Sequence, residues 1–399
     1  MTRADEFLTL IRKHEEYRLK SCINLRADEN YSSPQVRKAL ASDFCNRNTS
    51  PDPRFIYRGT KLLREAENLT IELGKELFKA DYINVYAPTG HTANIMIYFA
   101  FCKPGDKILV LAPECGGYSG IERDNLPKRL GLETIYFPFD EMNLNIDAKE
   151  GHIRKLVESE QLSLIILGAT YFLFPHPVRK ITRIAHRYGV PVAYDGAHVM
   201  GLIAGGRFQD PLNEGADVLF GSTMKTLGGP PGGILLTNNK EIYERLTEVT
   251  SYNAVSNKQY NRVVALGIRF AEMLENGKNY ATQVIRNAQA LAEFLSQKGI
   301  KIMFKDKGYT SSHMILLDVG GFRNNINGHA SAIAAKLEEA NIIIDDRGRI
   351  GLAEVTRIGM KEKEMGEIAD LFANVLILEV PLDKVRFEVR QLRSRFVTE

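Results

Sequence analysis

Short apolar runs alternate with polar, helix-period stretches along residues 82–236. Tyr82 to Tyr86, Lys107 to Leu111, Ser163 to Leu167, Val190 to Tyr194, Val218 to Phe220 and Ile234 to Leu236 read as strands. Between them, Leu62 to Ala80, the segment opened by Ala87 to Asn94, and the basic stretch Pro177 to Tyr188 read as helices. Strands separated by helices predict a largely parallel, doubly wound sheet. Further on, residues 257–298 read as helix with one break near Asn276-Gly277. Short strands at Ile315 to Val319, Ile342 to Ile344 and Arg349 to Gly351, with helices at Ala330 to Ala340 and Lys361 to Leu378, make a smaller α/β domain. Residues 2–20 predict an amphipathic helix with Phe7, Leu8, Ile11 and Leu19 on its apolar side. The expected division is an N-terminal arm over 1–35, a large domain over 36–275 and a small C-terminal domain over 276–399.

Composition narrows the class. A chain of 399 residues is long enough for two domains and a large core. The net charge of +3 is too small to suggest nucleic acid, and no basic run carries interleaved aromatics. No apolar stretch approaches the roughly 18 residues of a membrane span. The four cysteines, at 22, 45, 102 and 115, show no CxxC pairing and read as reduced thiols. The charged N-terminus has no apolar signal core. These features predict a cytoplasmic protein with no membrane or nucleic-acid partner and no metal.

Two stretches carry chemistry. In Ala216 to Gly233 a strand leads into a small-polar turn with one lysine, Lys225, followed by a Gly/Pro-rich loop and a second strand. An amine held near strand ends loses hydration and becomes a nucleophile, which a Schiff-base lysine requires. The other stretch runs Gly189-Val190-Pro191-Val192-Ala193-Tyr194-Asp195-Gly196-Ala197-His198. It ends in a carboxylate with an imidazole three residues on, and open α/β sheets place their sites at such strand ends. Pyridoxal phosphate needs a lysine for its aldehyde and an acid for its pyridine nitrogen. Lys225, with Asp195 and His198 upstream, meets that need.

These two stretches resemble serine hydroxymethyltransferase, a fold-type-I pyridoxal-phosphate enzyme. Asp28-Glu29-Asn30-Tyr31-Ser32-Ser33-Pro34 resembles the family's N-terminal motif, and Arg349-Ile350-Gly351 with Glu354-Val355-Thr356-Arg357 its C-terminal one. The resemblance extends from about Cys22 to about Asp370. It implies a fold-type-I transferase with a mostly parallel, doubly wound large domain and a small α/β C-terminal domain. It also implies an amino-acid substrate and a homodimer with shared active sites, the N-terminal helix packing on the partner. By the same resemblance, Thr89, Gly90 and His91 hold the phosphate, Cys115 stands where a histidine stacks on the cofactor, and Thr170 donates to the ring oxygen. Arg349 binds the substrate α-carboxylate, Asp28 lies near it, and the interface loop brings Tyr57 and Arg58 to the substrate.

The departures from the family matter as much. Asn48 and Arg58 replace two tyrosines, Ser50 replaces the acid/base glutamate of the folate-linked step, and Asp28 replaces a serine. Met224 replaces a histidine and Pro231 an arginine. Only Asp345 to Gly348 separate Ile344 from Arg349, where the family has a longer, folate-binding loop. A serine cannot act as a carboxylic acid. The expectation is aldol-type cleavage or transfer at Cα–Cβ without folate. The alternative is β-elimination, or decarboxylation or amine transfer, in a specialised pathway.

Overall fold

The computed structural model describes residues 2–49, 55–251 and 253–396. The chain forms two compact units, Ser32–Ala281 and a second made of Met1–Tyr31 with Thr282–Glu399.

The first unit is built on a seven-stranded sheet. Its strands, in chain order, are β1 (Tyr82–Ala87), β2 (Lys107–Val110), β3 (Glu133–Tyr136), β4 (Leu162–Leu167), β5 (Val192–Asp195), β6 (Val218–Ser222) and β7 (Gly233–Thr237). Across the sheet the order is β1-β7-β6-β5-β4-β2-β3. All neighbours are parallel except that β7 runs antiparallel to β1 and β6. The exception follows from the loop before β7. Thr223 N–H donates to the Gly232 carbonyl at 3.0 Å, and its hydroxyl donates to the Pro230 carbonyl at 2.6 Å. A connection closed that tightly has no room for the crossover that a parallel pair needs. Strands β6 and β7 are buried at every position, as expected of strands covered on both faces. Ala93, Met96 and Ile97 of the helix Gly90–Phe101 pack on Val110, Ile166, Phe220 and Leu235.

The second unit pairs Ile23–Asn24 in parallel with Ile342–Ile343, and Met314–Leu316 antiparallel with Arg349–Gly351. Leu25, Leu291, Ile315, Ile350, Phe372 and Val389 share its core. The N-terminal segment thus supplies a strand to the C-terminal residues. The helix Arg3–Glu15 starts with a capping box between Thr2 and Asp5. It buries no side chain, and Phe7, Leu8, Leu10 and Ile11 are exposed.

The strands and helices named from the sequence are found, with shifts of a few residues at their ends. Strand β3 and the C-terminal helix Leu382–Ser394 were not anticipated. The break expected near Asn276-Gly277 is absent, because Tyr260–Gln297 is one continuous helix. A helical glycine costs about 1 kcal/mol relative to alanine. Burial of Met273, Tyr280, Ala281 and Val284 on either side of Gly277 outweighs it.

Candidate active site

A cleft of about 180 Å³ opens in the first unit at the C-terminal ends of β4, β5 and β6, against the start of the helix Gly90–Phe101. Strand ends of an open α/β sheet are where small-molecule sites form. Lys225 stands on the turn after β6, which closes through Gly228 N–H to the Lys225 carbonyl at 2.9 Å. Its Nζ lies 3.2 Å from Nε2 of the buried His198. The lysine thus meets an imidazole nitrogen.

Asp195 ends β5. Its Oδ1 accepts the Ala197 N–H at 2.9 Å. That turn fits only because its neighbours are glycine. A Cβ on Gly168 would lie 2.7 Å from Asp195 Cβ, and one on Gly221 2.5 Å from Ala197 N. Both glycines also hold positive φ, 153° and 155°. Burial pushes the Asp195 carboxyl above its ordinary range, while the Ala197 N–H, Lys225 and the Asn94 side chain pull the other way. A cation placed against this carboxylate would relieve that cost.

At the helix start, the Thr89 hydroxyl accepts the Thr92 N–H at 2.9 Å and caps the helix. Gly90 and His91 line the cleft, whereas Thr89 is an exposed cap outside its lining. Ser222, the last residue of β6, also lines it. Sequence reasoning missed Ser222, although its place three residues before Lys225 at a strand end was a usable signal. Thr170 lines the cleft as well, its hydroxyl donating to the Gly117 carbonyl at 3.2 Å.

Cys115 is half-buried in the turn Pro113–Cys115 and is not among the cleft-lining residues, while Tyr118 is. Gly117 N–H returns to the Ala112 carbonyl at 2.9 Å, and that turn carries the residue after the two glycines to the cleft wall. An aromatic side chain directly after Gly116-Gly117 was the sign of this in the sequence. The Tyr118 hydroxyl is 3.3 Å from His91 Nδ1, and the two rings meet edge to face at 6.1 Å.

The remaining expected site residues lie elsewhere. Tyr57 and Arg58 are exposed and do not line the cleft, and Ser50 lies outside the described residues. In the second unit, Asp28 is paired with Arg26 at 3.0 Å. Arg349 is buried, and its Nε donates to Asp345 Oδ2 at 2.6 Å. Among the described residues no group of three or more His, Cys, Asp or Glu could hold a metal ion, and no helix is long and apolar enough to cross a membrane.

A cleft lined by a lysine amine, a carboxyl whose pKa burial raises and a helix N-terminus suits the aldehyde, pyridine nitrogen and phosphate of pyridoxal phosphate. Comparison with known proteins agrees. The family model for serine hydroxymethyltransferase matches residues 1–372. The serine hydroxymethyltransferase of Methanocaldococcus jannaschii is 41% identical over 97% of this chain and 93% of its own length. That of Pyrococcus horikoshii is 38% identical over 98% and 95%. Among solved structures, an L-threonine transaldolase from Pseudomonas fluorescens superposes with a TM-score of 0.88 and 25% sequence identity, covering 98% of this chain and 91% of that one.

Proposed function

The chain belongs to the serine hydroxymethyltransferase family and is a fold-type-I, pyridoxal-phosphate-dependent transferase; from that premise we propose that it makes or breaks the Cα–Cβ bond of a β-hydroxy amino acid without tetrahydrofolate. Aldol-type chemistry at Cα–Cβ is supported by the family and by the transaldolase likeness. The folate-free reading is carried by one observation, the tight turn before Arg349. Gly348 N–H donates to the Asp345 carbonyl at 3.0 Å, so four residues close the connection where the family has its longer loop. Ser50 in the glutamate position points the same way.

When bound, the cofactor supplies the electron sink that weakens bonds at the substrate's Cα. Lys225 provides the amine for its aldehyde, and His198 at 3.2 Å keeps that amine directed into the cleft. Asp195 holds the proton on the pyridine nitrogen. At about 4 Å and an effective dielectric near 20, such a pair is worth about 4 kcal/mol. The N–H groups at Gly90 and His91, with the Ser222 hydroxyl, receive the phosphate at the positive end of the helix. Arg349 takes the substrate α-carboxylate, with Asp345 on its Nε fixing the direction of the guanidinium.

Tyr57 and Arg58 complete the site of a partner subunit in a homodimer, and Arg58 binds an acidic group on the aldehyde partner. The exposed apolar side chains of Phe7, Leu8, Ile11, Phe55 and Ile56 suit a partner surface. A monomer in sedimentation with full activity would refute the shared site. The reaction is tested by product analysis with threonine and serine, each with and without tetrahydrofolate. Glycine and aldehyde in both conditions support it. Pyruvate, ammonia or carbon dioxide without aldehyde would favour elimination or decarboxylation.

A further inference from the structure

We propose that Tyr118 and His91 form the proton relay for the substrate's β-hydroxyl, in place of the carboxylic acid the chain lacks at Ser50. The proposal rests on the aldol reading above and assigns the base that reading leaves open. The acid/base groups lining the cleft are His91, Tyr118, Asp195, His198 and Lys225. Asp195 is committed to the cofactor's nitrogen, and Lys225 and His198 face each other at 3.2 Å. Tyr57 does not line the cleft of its own chain and would enter a site only from the partner in the homodimer reading. Among the groups one chain supplies, Tyr118 and His91 remain, on two different segments, 3.3 Å apart at Oη and Nδ1.

Their environments suit a relay. Tyr118 is half-buried, and burial followed by the nearby Asp195 carboxyl raises its hydroxyl above the usual range, so it enters the reaction protonated. His91 is exposed, so its ring connects Tyr118 to solvent. In cleavage, the β-hydroxyl proton passes to Tyr118 Oη as the Tyr118 proton passes to His91 Nδ1. The electron pair of the Cα–Cβ bond moves toward Cα and into the cofactor's sink, and the freed β-oxygen becomes the carbonyl of the departing aldehyde. In the synthetic direction the same protons return.

The test uses Tyr118→Phe and His91→Asn holoenzymes in two reactions that share the cofactor. One is aldehyde release from threonine. The other is α-proton exchange of glycine in deuterium oxide, which has no β-hydroxyl. Cofactor affinity of each apoprotein is measured alongside by titration. Tyr118→Phe should lose about a hundredfold to a thousandfold in aldehyde release while exchange stays within about threefold, and His91→Asn should lose more in aldehyde release than in exchange or cofactor affinity. Equal losses in both reactions would show that Tyr118 only packs on the cofactor and would overturn the relay. A weaker cofactor affinity in His91→Asn with unchanged aldehyde release would make His91 a phosphate ligand instead. A wild-type enzyme that exchanges glycine but cleaves no β-hydroxy amino acid would overturn the aldol reading together with the relay. Active wild type with active variants would overturn the relay alone.

Discussion

Asp195 and Asp345 are carboxylates held in opposite ways. Asp345, buried in the second unit, accepts the Arg347 N–H at 3.0 Å, the Arg349 N–H at 3.1 Å and Arg349 Nε at 2.6 Å. Asp195 faces the cleft, accepts the Ala197 N–H at 2.9 Å, and burial raises its carboxyl above the ordinary range. The first carboxylate is satisfied from within its own short turn, and it acts as a scaffold for Arg349. Burial of the second outweighs what the Ala197 N–H, Lys225 and the Asn94 side chain give back, and such a group is a receptor for a further cation. Satisfaction of a buried charge therefore separates the residues that shape the site from those that engage its contents.

The largest effect should come at the lysine of the cleft. Lys225→Ala should abolish the yellow colour of the holoenzyme and its trapping by borohydride, measured by absorbance and mass spectrometry. Retention of both would remove Lys225 from the cofactor site. Asp195→Asn should keep the cofactor yet lower turnover by about a thousandfold, from a coupling of about 4 kcal/mol. Near-normal turnover would erase the contrast with Asp345.

A third carboxyl extends the comparison. Glu354 is buried in the second unit, beside Asn24 Nδ2 at 2.7 Å, and burial pushes it up to about 7. Its folded pKa lies above the unfolded 4.5. The folded state therefore binds the extra proton, and stability is lost as pH rises from about 4.5 to about 7. The cost above that range is about 3 kcal/mol. Glu354→Gln should flatten the pH dependence of denaturant midpoints between pH 5 and 8 (about that range). An unchanged slope would show that Glu354 is ionised without penalty. The smallest effect belongs to the scaffold. Asp345→Asn should raise KM for the amino acid by about tenfold, with kcat and cofactor affinity nearly unchanged, because only the aim of Arg349 is loosened. A kcat loss as large as that of Asp195→Asn would contradict the division.

Much of this was legible in the sequence, for reasons the particular residues show. Asp195 and Lys225 stand at the ends of apolar runs, and the period of those runs places strand ends together whatever the details. The Gly/Pro loop before β7 was visible too, but its consequence, an antiparallel strand in a parallel sheet, depends on hydrogen bonds made by Thr223 that composition does not reveal. Cys115 occupies the family's place in register, whereas Tyr118 was not read as a cleft residue, because the fold of a turn decides which side chain faces a cleft. The expected break at Gly277 failed because the local propensity of one glycine is weaker than the packing of the helix around it. Tyr57 and Arg58 could not be tied to the site from one chain, because both are exposed there and neither lines the cleft.

The most direct test of the folate-free reaction is glycine and aldehyde release from serine by the purified holoenzyme, assayed with and without tetrahydrofolate. The Asp345–Gly348 turn and Ser50 predict equal rates of release in both conditions. Release that strictly requires tetrahydrofolate would contradict the assignment.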